Sequence, residues 1–579
     1  MWQFIKTYPT KYWKWYLVGL LALIITTYVT TLIPLEIKTI VDFISNNASW
    51  NTLKVHVLRL IGLAAILAVV RTFSRVLIFT PGRYVEYDLR KVIHAHLLTL
   101  PPSFFRTHTI GDTMSRMIND IQALRLMCAV GYLNILNTIM IYTFVVGQMI
   151  LIHPILTFWV LCPVPLALIC IRFFVYYLYA FIRKSQEQLG GITDFFVEAV
   201  ANISLIKTFT AEERIIEEMH HDNVEYRKTQ IKLASVRSVM FPFIATIGTI
   251  GQILLLYKGG QYIISGAITI GDFVAFATYL VLLAWPTAAF SWIINLIQRG
   301  FASLERVQDI LDTPPHPQYL IQAPMPLSSA PSIELNDISF RYNDDQDPIL
   351  NSINLSIPAG STIGIFGATG SGKTTLAKLL SLIEPVQTGT LLIDGTDITT
   401  VNVNSIREFI ATVPQRRFLF SSSIEENIAF SDPNNISNNE CSYAAKRACV
   451  LDDIHGFPKN WDTLVGEKGI ILSGGQQHRL ALARAYASTH HVLILDDVLS
   501  SVDHDTEQQM VDAIYAEENR PTTIIISHRV SAIEPCDQII VLDKGQIIDQ
   551  GTHSELITKA GSYQATWNYQ QMEVEDTYE

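Results

Sequence analysis

The chain has 579 residues, of which 49% are hydrophobic and only 16% charged, and its mean hydropathy is +0.27. Soluble domains carry about 25% charged residues, so the composition excludes a wholly soluble protein and places part of this one in lipid. Residues 1–331 carry 26 Lys and Arg against 19 Asp and Glu, whereas residues 332–579 carry 16 against 34; an acidic soluble half argues against a nucleic-acid partner.

The first 14 residues hold Lys6, Lys11 and Lys14 but no small-residue cleavage site after the apolar run that follows. They read as an interfacial lead-in and not as a cleaved signal. A span needs about 20 mostly apolar residues. Six stretches supply them: 15–35, 60–78, 130–152, 155–174, 241–264 and 273–297. The loops alternate in charge. Residues 80–128 hold six Lys and Arg and residues 182–238 hold eight, while the opposite loops are poor in both. The positive-inside rule then places the two long loops, both termini and the C-terminal half in the cytosol. Charged residues recur with a helical period through 183–237, so the loops are expected as helices continuing the spans beyond the bilayer.

Arg71 is the deepest ionisable group in these stretches, with Arg75 and Arg172 nearer the cytosolic face. Such residues either snorkel to the interface or line a polar cavity. The last span carries Trp285, Pro286, Phe290 and Trp292. Arg71, Trp285, Phe290 and Trp292 are the candidate lining of a cavity for a transported small molecule, and helix packing is the blander use of the aromatics. The six cysteines, Cys128, Cys162, Cys170, Cys441, Cys449 and Cys536, have no metal-ligand spacing and read as reduced thiols.

Six prolines fall between residues 312 and 331 and mark a linker. The expected division is therefore a membrane domain over 1–331 and a second domain over 332–579. In the latter, short β-rich runs at 332–342, 361–366, 390–393, 492–495, 522–527 and 538–542 alternate with helical segments. That alternation argues an α/β fold with a largely parallel sheet.

The run Gly367-Ala368-Thr369-Gly370-Ser371-Gly372-Lys373-Thr374 fits G-x-x-x-x-G-K-[ST], follows the strand-like 363–366 and precedes a helix-like run with Thr375 in it. Its glycines let backbone N–H groups curl around phosphate oxygens, and the helix N-terminus adds positive potential. Lys373 supplies a point charge for the outer phosphates and Thr374 a hydroxyl for Mg²⁺. A second anchor is Val492-Leu493-Ile494-Leu495-Asp496-Asp497. Four apolar residues make a buried parallel strand that delivers two carboxylates at its C-terminal end, where such sheets bind ligands. Asp496 would hold Mg²⁺, and ATP with Mg²⁺ is the expected ligand.

Leu472-Ser473-Gly474-Gly475-Gln476, shortly before that strand, resembles the signature motif of ATP-binding cassette proteins. Further motifs follow the order of that family. Tyr342 is similar to its adenine-stacking aromatic, Gln415 in Val413-Pro414-Gln415 to its Q-loop glutamine, Asp503 in Ser500-Ser501-Val502-Asp503 to its D-loop, and His528 to its switch histidine. In the first cytosolic loop, Gly111-Asp112 to Asn119-Asp120 resembles the G-D-x-x-x-R-x-x-N-D stretch of the exporters. The resemblance covers nearly the whole chain and is strongest to bacterial multidrug-type half-transporters.

The resemblance implies a six-helix all-α transmembrane domain, plus an α/β P-loop nucleotide-binding domain with a helical subdomain, in a bacterial plasma membrane. Two such chains would sandwich ATP, each nucleotide lying between the phosphate loop of one chain and the signature motif of the other. Gln415 would sense Mg²⁺ and the attacking water. In the family the residue after the Mg²⁺ aspartate is usually Glu, which orients that water; here it is Asp497, one methylene shorter. A misplacement of about 1 Å can cost roughly a hundredfold in rate. Slow hydrolysis at this chain's own site is therefore expected, and a heterodimer with a Glu-bearing partner is favoured over a homodimer. An importer built on the exporter fold, or an ATP-gated channel or regulatory subunit, are the alternatives.

Overall fold

The computed structural model describes residues 2–46, 50–316, 321, 323, 325, 328–343, 347–466, 472–501, 504–516 and 520–578. Internal contacts divide the chain into two units: Met1–Ala95 with Ile110–Asp312, and His96–Thr109 with Thr313–Glu579.

The first unit is helical throughout. Its principal helices are α1 (Trp13–Ser45) and α2 (Trp50–Leu97), then α4 (Tyr132–Ile152), α5 (Pro154–Leu161), α6 (Pro163–Ala201), α7 (Glu212–Leu254) and α8 (Ile270–Asp312). The six-residue α3 (Pro102–Thr107) lies in sequence between α2 and α4 but packs in the second unit. Among the described residues, four helical stretches are long and apolar enough to cross a membrane. At 1.5 Å per residue the 48-residue α2 is about 72 Å long, more than twice the bilayer's hydrocarbon thickness of about 30 Å. The apolar stretch at 155–174, expected as one span, is broken at Cys162, where α5 ends and Pro163 opens α6. Proline has no N–H to continue the ladder, but its fixed φ suits the first helical turn.

The core of this unit joins Val145 and Met149 of α4, Leu156 and Val160 of α5, and Phe276 and Tyr279 of α8. Tyr279 is buried, and its hydroxyl donates to the Thr31 carbonyl at 2.9 Å, so its polar tip is satisfied. The motif at 112–120 is a set of ion pairs. Arg116 meets Asp112 at 2.9 Å and Asp309 at 2.7 Å, and buried Asp120 accepts from Arg306 and from Ser303.

The second unit contains two sheets. The strands are β1 (Ile333–Phe340), β2 (Leu350–Ile357), β3 (Thr362–Phe366), β4 (Thr388–Ile393), β5 (Thr396–Asp397), β6 (Ile410–Val413), β7 (Val492–Asp496), β8 (Thr522–Ile526), β9 (Gln538–Asp543) and β10 (Gln546–Gly551). One sheet is antiparallel, in the order β2-β1-β4-β5; the other runs β10-β9-β3-β8-β7-β6 and is parallel except for the β10 edge. Every residue of β3, β7 and β8 is buried. Unbroken apolar runs such as Ile524-Ile525-Ile526 therefore read as continuous rather than alternating. Between β6 and β7 the chain forms a group of helices that includes Asn438–Arg447 and, leading into β7, α10 (Gly474–Ala487).

Candidate functional site

The phosphate loop leaves the C-terminal end of β3 and enters α9 (Lys373–Leu380). Gly370 and Gly372 have φ of +84° and +105°, a region that side-chain-bearing residues rarely enter. A Cβ on Gly372 would also lie 2.9 Å from Leu350 Cδ2. Ser371 is buried, and its Oγ has no hydrogen-bond partner among the described residues. The Lys373 ammonium donates to the carbonyls of Gly367 (2.6 Å) and Ala368 (2.9 Å), folded back across its own loop. A curled backbone, an unanswered buried hydroxyl and a cation at its mouth fit a polyphosphate.

Strand β8 separates β3 from β7, which sets Asp496 and Asp497 beside the loop at the same sheet end. Asp496 is 4% exposed and accepts from the Thr374 hydroxyl across 3.5 Å. Burial lifts its carboxyl above the usual range; the Thr374 hydroxyl opposes that lift and the neighbouring Asp497 charge adds to it. Burial likewise lowers the Lys373 ammonium, against the pull of Asp497 and Asp496. Such a site gains from a divalent cation that neutralises its carboxylates. Thr374 and Asp496 are the groups that would hold such an ion.

Asp497 has φ of +56°, uncommon for a residue with a Cβ, and its N–H donates to the Ile526 carbonyl at 2.8 Å. One carboxylate oxygen faces His528 Nδ1 at 2.9 Å, and the other accepts from Gln415 Nε2 at 3.3 Å. The three residues named from sequence for the hydrolytic step therefore meet at one point.

Ser473 caps α10. Its hydroxyl accepts from the Gln476 N–H at 3.2 Å, and the Gln476 side chain accepts from the Ser473 N–H at 3.0 Å, closing a capping box. Gln476 also donates to Asp453 at 2.8 Å, and Leu472 is buried just before the cap. Arg417, which the sequence reading passed over, donates to Gln477 at 2.9 Å and lies 3.1 Å from His478 Nε2. It thereby ties the segment after Gln415 to α10. Burial lowers the His478 pKa, and the Arg417 charge adds to this.

Tyr342 follows β1 and shares a hydrogen bond of 3.2 Å with the Thr375 hydroxyl. Arg106 of α3 sits over its ring at 4.9 Å and pairs with buried Glu384 at 2.6 Å. Sequence patterns carried no signal for Arg106, because the contact joins residues 236 positions apart. Asp503 lies outside the described residues.

In the helical unit, Arg71 and Trp285 line one cavity of about 280 Å³, with Arg75 beside them. Phe290 and Trp292 do not line it; both are exposed, at 45% and 50%, further along α8.

A P-loop site at the end of a parallel sheet, in one chain with helices of membrane-spanning length, defines a nucleotide-driven membrane protein. Family models described as "ABC transporter transmembrane region" and "ABC transporter" match residues 16–287 and 350–500. The chain is 32% identical over 501 residues to YheI of Bacillus subtilis, named as a probable multidrug resistance ABC transporter ATP-binding/permease protein, covering 86% of this chain and 84% of that one. It is also 32% identical over 578 residues to a Staphylococcus aureus chain assigned to multidrug export as an ATP-binding/permease protein, covering 98% and 99%. A solved bacterial Atm1-family ABC exporter with ATP bound superimposes with a TM-score of 0.83 at 25% identity, covering 96% of this chain and 99% of that one. The chain belongs to the ABC transporter family as an exporter-type half-transporter, and its cassette is an ATPase coupled to transport.

Proposed function

We propose that the protein exports amphipathic small molecules across a bacterial plasma membrane, as one half of a dimer whose two cassettes sandwich ATP. Six spans carry it through the bilayer with both termini in the cytosol, a reading supported by the charge of the 80–128 and 182–238 loops. Lys373 leaves the Gly367 and Ala368 carbonyls to meet the outer phosphate oxygens. Thr374 and Asp496 hold Mg²⁺, which when bound offsets the charge of the phosphates. Gln415 and His528 fix Asp497, whose carboxylate orients the attacking water. Ser473 and the backbone N–H groups of Gly474 and Gly475 face nucleotide held by the partner chain.

The observation that carries the finer reading is Asp497 itself. Its carboxylate is fixed by His528 and Gln415 and is one methylene shorter than a glutamate's. It stands farther from a water placed for the longer side chain, so this chain's own site turns over slowly. The intact signature motif completes a faster site on a partner that carries Glu, so the heterodimer is preferred. Transport into sealed inside-out vesicles tests the function. ATP-dependent accumulation, abolished by Lys373→Ala, is the expected result. ATP-dependent depletion of preloaded vesicles points to import, and equilibration without accumulation points to a channel.

A further inference from the structure

The cavity on the helical unit has an unusual charge inventory. It is lined by α1, α2, α4 and α8, and its polar groups include Thr26, Thr30, Asn134 and Asn137 beside Arg71 and Arg75. Most of the neutral groups spend their donors on their own helices: Thr26 on the Ala22 carbonyl at 2.7 Å, Thr30 on Thr26 at 2.7 Å, and Asn134 on Val130 at 2.8 Å. Arg71 and Arg75 make no ion pair among the described residues. Among the described residues that line the cavity none is acidic.

The acids nearest the spans are already committed. Glu86, on the same helix, is held by Arg83, Arg90 and Arg125 at 3.1, 2.8 and 3.4 Å. Glu36 faces His56 at 2.9 Å, Asp272 pairs with Lys38 at 2.6 Å, and Asp42 accepts from Thr269 and Gly271. Arg71 lies 7 residues, about 10 Å along the helix, inside the cytosolic end of its apolar stretch. A cation at that depth needs a counter-charge or water. Arg75 also lines a second groove on α2, which extends past Phe79 to Arg83. Two unpaired guanidiniums thus follow one another from the cytosolic half of α2 into a cavity walled by Leu23, Ile141, Leu282 and Trp285.

We propose that this cavity receives the anionic headgroup of an amphiphile, a carboxylate, sulfonate or phosphate, with Arg71 and Arg75 as its counter-charges and Trp285 against its apolar body. Guanidinium forks match such oxyanions in geometry as well as charge. A cationic amphiphile would meet only like charge there. The proposal names the substrate class and rests on the exporter reading, but binding can be measured without ATP and so separates the two.

The test uses the full chain in phosphatidylcholine nanodiscs, with pyrenebutyrate and its trimethylammonium counterpart as probes, read by pyrene fluorescence. Pyrenebutyrate should bind at least tenfold more tightly than the cation. Arg71→Gln with Arg75→Gln should erase that preference while the variant keeps the wild-type elution volume and helical circular dichroism, and the paired Lys substitutions should restore it. Replacing part of the phosphatidylcholine with phosphatidylglycerol distinguishes the sources. Competition with the probe in the wild type alone marks a lipid occupant, and no competition marks a soluble anion. Equal binding of both probes, or an unchanged preference in the folded double Gln variant, overturns the anion site. Selective binding in nanodiscs, with no ATP-driven accumulation of pyrenebutyrate in sealed inside-out vesicles, leaves the anion site standing and sinks the exporter reading.

Discussion

At the residue scale, the proposed slow turnover of this cassette rests on Asp497. Asp497→Glu extends the carboxylate by one methylene toward the water. Steady-state hydrolysis by the purified complex should rise by a factor on the order of ten to a hundred, since about 1 Å of misplacement is worth roughly that much. Unchanged turnover would mean that carboxylate reach is not what limits the rate. His478 offers a test by pH. Burial first, and the Arg417 charge second, hold its pKa below the ordinary value. The unfolded chain therefore binds a proton more readily than the native one, and stability is lost as pH falls below about 6.5. In a thermal melt, His478→Gln should flatten the loss of stability between neutral and mildly acidic pH. Loss of equal slope in wild type and variant would remove His478 from the account.

At the element scale, α10 depends on its cap. Ser473→Ala removes one half of the capping box and should cost about 1 kcal/mol of stability, measured by denaturant unfolding. If Ser473 also faces the partner's nucleotide, the same variant lowers turnover more than that loss explains, whereas a purely structural serine would move stability alone. The phosphate loop and the Asp-tipped strand were legible in sequence, because each is a short local pattern with its own spacing; residues 472–476 were legible as a signature-like motif, but not as the helix cap they form. Buried strands β3, β7 and β8 were legible for the same reason, as unbroken apolar runs. Strand β2 gave a weaker signal, because an extra residue between Leu350 and Ile353, opposite Ile338 and Phe340, breaks strict alternation there, with Ser352 at φ +50°. The break at Cys162 was marked by Pro163 and Pro165, but the unbroken apolar character of 155–174 read as one span. Arg106 over Tyr342, Arg417 against α10 and the neutral lining of the membrane cavity were not legible at all. They are made by residues far apart in the chain, and no spacing rule reaches that far. Phe290 and Trp292 show the converse: aromatic content marked the helix but not which of its faces the cavity uses.

At the scale of the whole molecule, the chain joins an acidic nucleotide-binding unit to a basic helical one, and the helix α3 inserts between the two halves of the latter in sequence while packing in the former. Covalent continuity from α2 into α3 gives nucleotide-driven motion a path toward the spans. Arg106 is its most exposed link to chemistry, lying over the ring proposed to stack on adenine. Arg106→Lys, which keeps a cation beside buried Glu384 but loses the planar guanidinium over the ring, should weaken the coupling between ATP hydrolysis and vesicle transport, read as more ATP consumed per molecule moved. An unchanged ratio would remove Arg106 from the path.

The central claim is that nucleotide held by the Gly367–Thr374 loop drives the helices to which the cassette is tethered. Equilibrium binding of Mg-ATP to the intact assembly, with every subunit present, tests it most directly. Saturable binding that Lys373→Ala weakens by at least an order of magnitude is the predicted result, because Lys373 is the loop's only formal positive charge on the phosphates. An assembly with Lys373 unaltered and no affinity for Mg-ATP would contradict the account.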